Sequence, residues 1–232
     1  MRNIRSASRV SPWLLVVAAV LAFGPAAFAK DAPADKSKEK AGTESLFDGK
    51  TLGKWVSTNF GGEGEVRVED GAITLDAGAS LTGINYTGAV LKTNYEISLD
   101  AQRIQGTDFF CGLTVPVGES YASLIVGGWG GSLCGISSID DKDAARNDTR
   151  TIRAFKSEKW YHIRFRVYSD RLQAWIDNEK IVDVSIAGHK VSLRAEVLPS
   201  RPLGISAYQT SAALKNIQMR KLTPEEIASE KK

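Results

Sequence analysis

The feature that most constrains this chain is a strict alternation of apolar and polar side chains. In Trp160-Tyr161-His162-Ile163-Arg164-Phe165-Arg166-Val167-Tyr168, the residues Tyr161, Ile163, Phe165 and Val167 share one face. Successive residues of a strand point to opposite sides, so this period of two describes a half-buried strand. Ser169-Asp170 supplies turn chemistry, and Arg171-Leu172-Gln173-Ala174-Trp175-Ile176-Asp177 returns with Leu172, Ala174 and Ile176 as its apolar set. A two-residue turn at 169–170 sets Ile163 opposite Ile176, Phe165 opposite Ala174 and Val167 opposite Leu172. On the other face it sets His162 opposite Asp177, Arg164 opposite Trp175 and Arg166 opposite Gln173. Both faces are chemically consistent in this register, and a slip of one residue would invert every side chain.

The same pattern runs through Asn94-Tyr95-Glu96-Ile97-Ser98-Leu99-Asp100-Ala101, with Glu96, Ser98 and Asp100 on the polar side. Further strands are expected over 66–68, 72–75, 109–115, 123–126, 133–139, 181–186, 203–207 and 214–222, with Gly and Asn/Asp between them. No stretch within 45–222 carries a sustained 3.6-residue apolar stripe with caps, and no internal repeat is evident. Many short strands without crossover helices predict an all-β fold, an antiparallel β-sandwich of jelly-roll type.

Both ends stand apart from this domain. Arg2, Arg5 and Arg9 precede the apolar run 13–23, and Gly24-Pro25 and Ala27-Phe28-Ala29 follow it. A basic start, a short apolar stretch and a small-x-small end predict a secretory signal peptide over 1–29, cleaved after Ala29. An eleven-residue helix would span about 16 Å, against the roughly 30 Å of a bilayer core, so no integral membrane association is expected. The protein is expected to be exported, to the periplasm or the extracellular space. Residues 30–44 lack any large apolar side chain and predict a disordered charged leader. Thr223-Pro224-Glu225-Glu226 resembles a helix start but leads only into a short tail over 223–232.

The 30 basic and 27 acidic residues of the 232-residue chain give a formal charge of +3. The three arginines of the signal segment account for that excess, and from Lys30 onward the two counts are equal. The basic balance therefore gives no reason to expect nucleic acid as a partner. Cys111 and Cys134 are the only cysteines. If 109–115, 122–128 and 132–139 form a meander, a middle strand separates them by roughly 9.5 Å, too far for a bridge, and two buried thiols are expected. With only His162 and His189 elsewhere, they offer no zinc spacing. Asp140-Asp141-Lys142-Asp143 with Asp148 could collect Ca²⁺, but the stretch lacks the Gly and distal Glu of an EF-hand, and no cofactor is expected. Asn85-Tyr86-Thr87 and Asn147-Asp148-Thr149 match the N-glycosylation pattern. Fingerprints for a nucleophile elbow, a P-loop or a dinucleotide are missing from the sequence.

Ser45-Leu46-Phe47-Asp48-Gly49-Lys50-Thr51-Leu52-Gly53-Lys54-Trp55 resembles the L-F-x-G-K-x-L-x-x-W opening of the 3-keto-disaccharide hydrolase family. Later landmarks follow in order. The strand 94–100 is similar to the family's N-F-E-L-x-x-E. Lys159-Trp160-Tyr161-His162-Ile163 with Ala174-Trp175-Ile176-Asp177-Asn178 is similar to its W-N-x-x-x-I and V-x-V-N-G. Pro202-Leu203-Gly204-Ile205 with Lys215-Asn216-Ile217 is similar to its G-x-I-G-L-Q and N-I. The resemblance covers 45–222 and implies a concanavalin-A-like jelly roll in an exported bacterial protein. Two segments depart from the family pattern. Gly106-Thr107-Asp108-Phe109-Phe110-Cys111-Gly112 replaces N-S-G-V-F-x-R and lacks the following Arg. Ser206-Ala207-Tyr208-Gln209-Thr210 replaces L-Q-D-H-G and lacks both Asp and His.

The resemblance implies work on glycosides oxidised at C3, whose ketone acidifies the C2–H. A base removes that proton, the C1 substituent leaves by elimination, and hydration completes a net hydrolysis. Such a site needs a positioned base and a donor for the enolate oxygen. The candidate catalytic residues are Asp108, which opens an otherwise apolar strand, and His162, which an opposing Asp177 could orient. Candidate substrate-binding residues are Glu96, Arg164 stacked on Trp175, and Trp129 in Gly127-Gly128-Trp129-Gly130-Gly131-Ser132. For each of these an ordinary structural role stands beside the functional one. The expected ligand is a glycoside or glycan; a non-catalytic lectin-like module, or a structural domain with no sugar ligand, remains the alternative.

Overall fold

The computed structural model describes residues 42–229. The expected signal peptide, the leader up to residue 41 and residues 230–232 lie outside the described residues. Two antiparallel sheets stack face to face, as the alternation requires. We number the strands in chain order: β1 (Thr43–Ser45), β2 (Trp55–Ser57), β3 (Val66–Glu69), β4 (Ala72–Leu75), β5 (Leu81–Tyr86), β6 (Tyr95–Gly106), β7 (Cys111–Val117) and β8 (Ser120–Gly128). They continue with β9 (Leu133–Ser137), β10 (Thr151–Ile152), β11 (Trp160–Val167), β12 (Arg171–Ile176), β13 (Glu179–Ser185), β14 (Gly204–Tyr208) and β15 (Thr210–Lys221). One sheet has eight strands in the order β13-β12-β11-β6-β15-β4-β3, with β1 also on β15. The other has seven, in the order β10-β9-β8-β7-β14-β5-β2.

The expected hairpin forms in the expected register, from Ile163 opposite Ile176 to Val167 opposite Leu172. Tyr95, Ile97, Leu99 and Ala101 of β6 point inward with Tyr161, Ile163, Phe165 and Val167 of β11. From the other sheet, Leu113 and Val115 of β7, Leu124 and Val126 of β8, and Ile205 of β14 meet them. The opening motif is structural: Leu46, Phe47 and Trp55 are buried, and the Trp55 indole donates to the Leu46 carbonyl at 2.8 Å. Asp48 accepts the Lys50 and Thr51 amides, closing the turn between them.

Four strands lie beyond those expected: β1, β2, β5 and β10. In β5, both faces are buried and Gly83 sits where a Cβ would strike the Ile205 carbonyl at 2.6 Å, so no alternation marks it. Pairing of β1 with β15 orders Thr43 and Glu44, which the leader was expected to include.

The C-terminal tail is docked. Its helix α1 (Pro224–Ser229) begins with reciprocal bonds in which the Glu226 amide donates to Thr223 Oγ1 and the Thr223 amide to Glu226 Oε2. The Glu226 carboxylate pairs with Arg220 at 2.8 Å and Arg166 at 3.0 Å, and both guanidiniums also hold buried Glu96. Hydrogen bonds from Arg220 hold the Glu226 carboxyl at about 2, below its ordinary 4.5. Burial works to raise Glu96, but bonds from Arg166 and the charges of Arg166 and Arg220 outweigh it and leave it lowered. A carboxylate depressed in the folded state contributes stability above its unfolded value and loses it as pH falls through the folded one. Glu226→Gln should therefore reduce stability in urea melts at pH 7, with the difference from the parent shrinking steadily between pH 4.5 and 2.

Candidate functional site

A cleft of about 280 Å³ opens on the outward face of the seven-stranded sheet. Outward positions along these strands are small: Gly83 on β5, Gly112 on β7, Ser123 on β8, Gly135 and Ser137 on β9, and Ser206 on β14. The space they leave is walled by Phe109 and Tyr208, whose rings stack with centroids 5.9 Å apart. A Cβ at Gly112 would come within 2.9 Å of the Phe109 ring, so glycine is what lets that ring lie on the sheet. Ile125 and Leu81 complete the floor, and a 3-10 turn over Ala195–Ser200 brings Val197 across it.

Polar groups stand at two ends. At the β6–β7 and β8–β9 loops, Asp108 and Trp129 line the cleft together. Asp108 Oδ1 accepts the Phe109 amide at 2.8 Å and Oδ2 the Gly130 amide at 3.3 Å, and the Asp108 amide donates to Thr210 Oγ1. Trp129 has a left-handed backbone (φ 48°) that turns its indole outward, 43% exposed. At the other end are Ser123, Ser137, Arg194 and Glu196. Ser123 Oγ is bonded to Thr114 Oγ1 at 2.8 Å, and Arg194 to Glu196 and Asp143. Ser137 Oγ is buried and has no hydrogen-bond partner among the described residues.

What positions the first end is Arg103, a residue the sequence reading passed over. It continues the inward series 95, 97, 99 and 101 of β6, so its guanidinium lies buried at the rim of the core over Phe110, 5.2 Å from the ring centroid. Nη2 donates to the carbonyls of Asp108, Gly127 and Gly131 at 3.0–3.2 Å. One side chain thus ties the Asp108 loop to the Trp129 loop. A Cβ at Gly127, where φ is +76°, would stand 2.7 Å from Arg103 Nη2, so the glycines around Trp129 also make room for this cation. Desolvation lowers the arginine's pKa, and the charge of Asp108 opposes that.

The remaining candidates lie on the outward face of the eight-stranded sheet, away from the cleft. The His162 ring bonds not Asp177 but Asp100 on β6, its partner on the other side, with Nδ1 2.7 Å from Oδ1. Asn216, in a left-handed bulge of β15, holds the second Asp100 oxygen at 2.6 Å. Burial works to raise Asp100, and the bonds from His162 and Asn216 overcome it, so its carboxyl is lowered. Asp177 instead accepts Arg153 at 2.9 Å and the His162 backbone amide. Arg164 does cover Trp175, 4.7 Å from the ring centre, but Arg166 and Lys180 share that ring. Glu96 is not an open polar group; Arg166 and Arg220 take both its oxygens. Asp108 and Trp129 come together, while His162, Glu96, Arg164 and Trp175 form a separate set.

Cys111 and Cys134 are free, buried and flank Val126 in neighbouring strands, as the meander predicted. In the acidic loop Asp140 bonds His189 and Lys190, Asp141 bonds Lys190, and Asp143 bonds Arg194. Among the described residues no group of three or more His, Cys, Asp or Glu side chains is placed to hold a metal ion.

Sandwich, register and cleft describe an antiparallel jelly roll with an aromatic-walled cleft on the outward face of one sheet. The model of the 3-keto-alpha-glucoside-1,2-lyase-like domain matches residues 42–220, and the chain belongs to that family. No protein of curated function matches it in sequence. Solved structures share the fold. A Bacillus subtilis protein with a galectin-like fold is similar at TM-score 0.54 and 11% identity, covering 79% of this chain and 97% of that one. Domain 4 of the extracellular arabinanase AbnA from Geobacillus stearothermophilus, solved with arabinotriose, gives 0.53 and 14%, covering 82% and 97%. The carbohydrate-binding module CBM66 from Bacillus subtilis gives 0.50 and 12%, covering 72% and 96%. The two segments that depart from the family pattern both reach the cleft, as Asp108-Phe109 and as Tyr208.

Replacing a buried charge by an apolar side chain of similar length can be neutral for global stability, so the role of Arg103 is best read locally. Arg103→Met should leave the sandwich folded and speed amide exchange across 106–110 and 127–132 by ten-fold or more, as followed by hydrogen–deuterium exchange.

Proposed function

We propose that this is an exported carbohydrate-active protein that takes a 3-keto-glucoside into the cleft on the seven-stranded sheet and cleaves it by elimination. The observation that carries this reading is that the Asp108 carboxylate and the exposed Trp129 indole line one cleft, in a chain of the lyase-like family. An indole face covers the C–H face of a pyranose, and a carboxylate whose two oxygens each accept an amide is held in one orientation. In this reaction Asp108 removes the C2 proton, and the electron pair passes to the C3 oxygen as an enolate. The enolate then expels the C1 substituent, which leaves as its alcohol once protonated, and water adds to the unsaturated sugar. His162 has no part in this step, because it faces away on the other sheet.

A second reading, glycan retention without turnover, is favoured by one observation. Tyr208 stands in the segment that replaces the family's L-Q-D-H-G, so the cleft holds fewer ionisable groups than that pattern would bring. One assay separates the two. Incubating the protein with a 3-keto-glucoside of a chromogenic alcohol should release the alcohol, and Asp108→Asn should slow release by at least about 100-fold. Trp129→Ala should chiefly raise KM. Tight binding of the glucoside with no release would favour the second reading.

A further inference from the structure

The cleft is polar at its two ends and apolar between them. Asp108 and Trp129 mark one end; Ser123, Ser137, Arg194 and Glu196 mark the other. Between them stand Phe109, Ile125, Val197 and Tyr208. A second sugar ring placed there would bring several hydroxyls against side chains that cannot pair with them, and each buried, unpaired hydroxyl is costly. We infer that the group next to the sugar is an aromatic aglycone carrying one polar substituent, so that the preferred ligands are aryl glucosides rather than disaccharides. This rests on the proposed placement of the sugar against Asp108 and Trp129.

Three features support it. The stacked Phe109 and Tyr208 rings, one lying on the sheet over Gly112, give a flat wall of the kind another aromatic ring packs against. Ile125 and Ser123 follow each other outward on β8, and alternate strand residues are roughly 7 Å apart, about the span of one ring. At the end of that span the buried Ser137 hydroxyl, across from Ser123, has no partner among the described residues and can bond a single phenol-like group. Ser123 is already satisfied by Thr114, and Arg194 by Glu196 and Asp143, so one polar substituent meets the open demand.

The test is a binding series on the slowed Asp108→Asn protein, followed by tryptophan fluorescence and calorimetry, using the methyl, phenyl and 4-hydroxyphenyl 3-keto-glucosides and a 3-keto-disaccharide. The phenyl glucoside should bind at least ten-fold more tightly than the methyl glucoside or the disaccharide. The 4-hydroxyphenyl compound should gain further, and Ser137→Ala should cancel that last gain. Equal affinity for the methyl, phenyl and disaccharide ligands would overturn the aryl preference while leaving the sugar site standing. A disaccharide that binds best would do the same. Failure of all four to bind would overturn the site and the preference together.

Discussion

The Arg103 guanidinium is the group on which the Asp108 and Trp129 end of the cleft depends. Inside a sandwich, each strand should send an apolar side chain inward, and β6 does so until its fifth inward position. There a cation enters the rim of the core, offset by three backbone carbonyls and the face of Phe110. Those carbonyls belong to the two loops that carry Asp108 and Trp129, so the cost of burying the charge is tied to the positions of both. Loops are ordinarily the mobile part of a β-sandwich, and a buried hub of this kind lets loop residues hold a carboxylate and an indole in fixed relation.

The two outward faces divide the labour. On the eight-stranded sheet, charges of opposite sign are closed against each other: Glu96 with Arg166 and Arg220, His162 with Asp100, and Asp183 with Arg171 and Lys180. That face locks the strands and clasps the C-terminal helix. On the seven-stranded sheet, glycine and serine leave room, aromatic rings move in, and one buried hydroxyl stays open. A ligand gains most where the protein has left a demand unmet, and that condition holds on the second face.

Much of the fold was legible because period two is a local signal. The β11–β12 register followed from side-chain chemistry alone, and the separation of the two cysteines by a middle strand followed from a meander of three consecutive strands. What failed was neighbour identity across the sheet. His162 pairs with Asp100 rather than Asp177 because β6, distant in sequence, lies on its other side, and strand order is not written in any one segment. Glu96 looked solvent-facing for the same reason: the arginines that enclose it come from β11 and β15. At Gly127 and Gly131 the space that a Cβ would take lies against Arg103, a neighbour from distant β6. The signal for Arg103 was present, as a charge in an inward register position. Strand β5 carried no comparable mark, since burial on both faces erases alternation.

In the proposed function, ligand meets the seven-stranded sheet at Asp108 and Trp129. The most direct measurement is a titration of the protein with methyl 3-keto-glucoside while following the tryptophan indole N–H resonances, assigned by single Trp→Phe replacements. The Trp129 resonance should move with saturable dependence on ligand, while those of Trp160 and Trp175, on the opposite sheet, stay in place. Movement of Trp160 or Trp175 with Trp129 unchanged would contradict it.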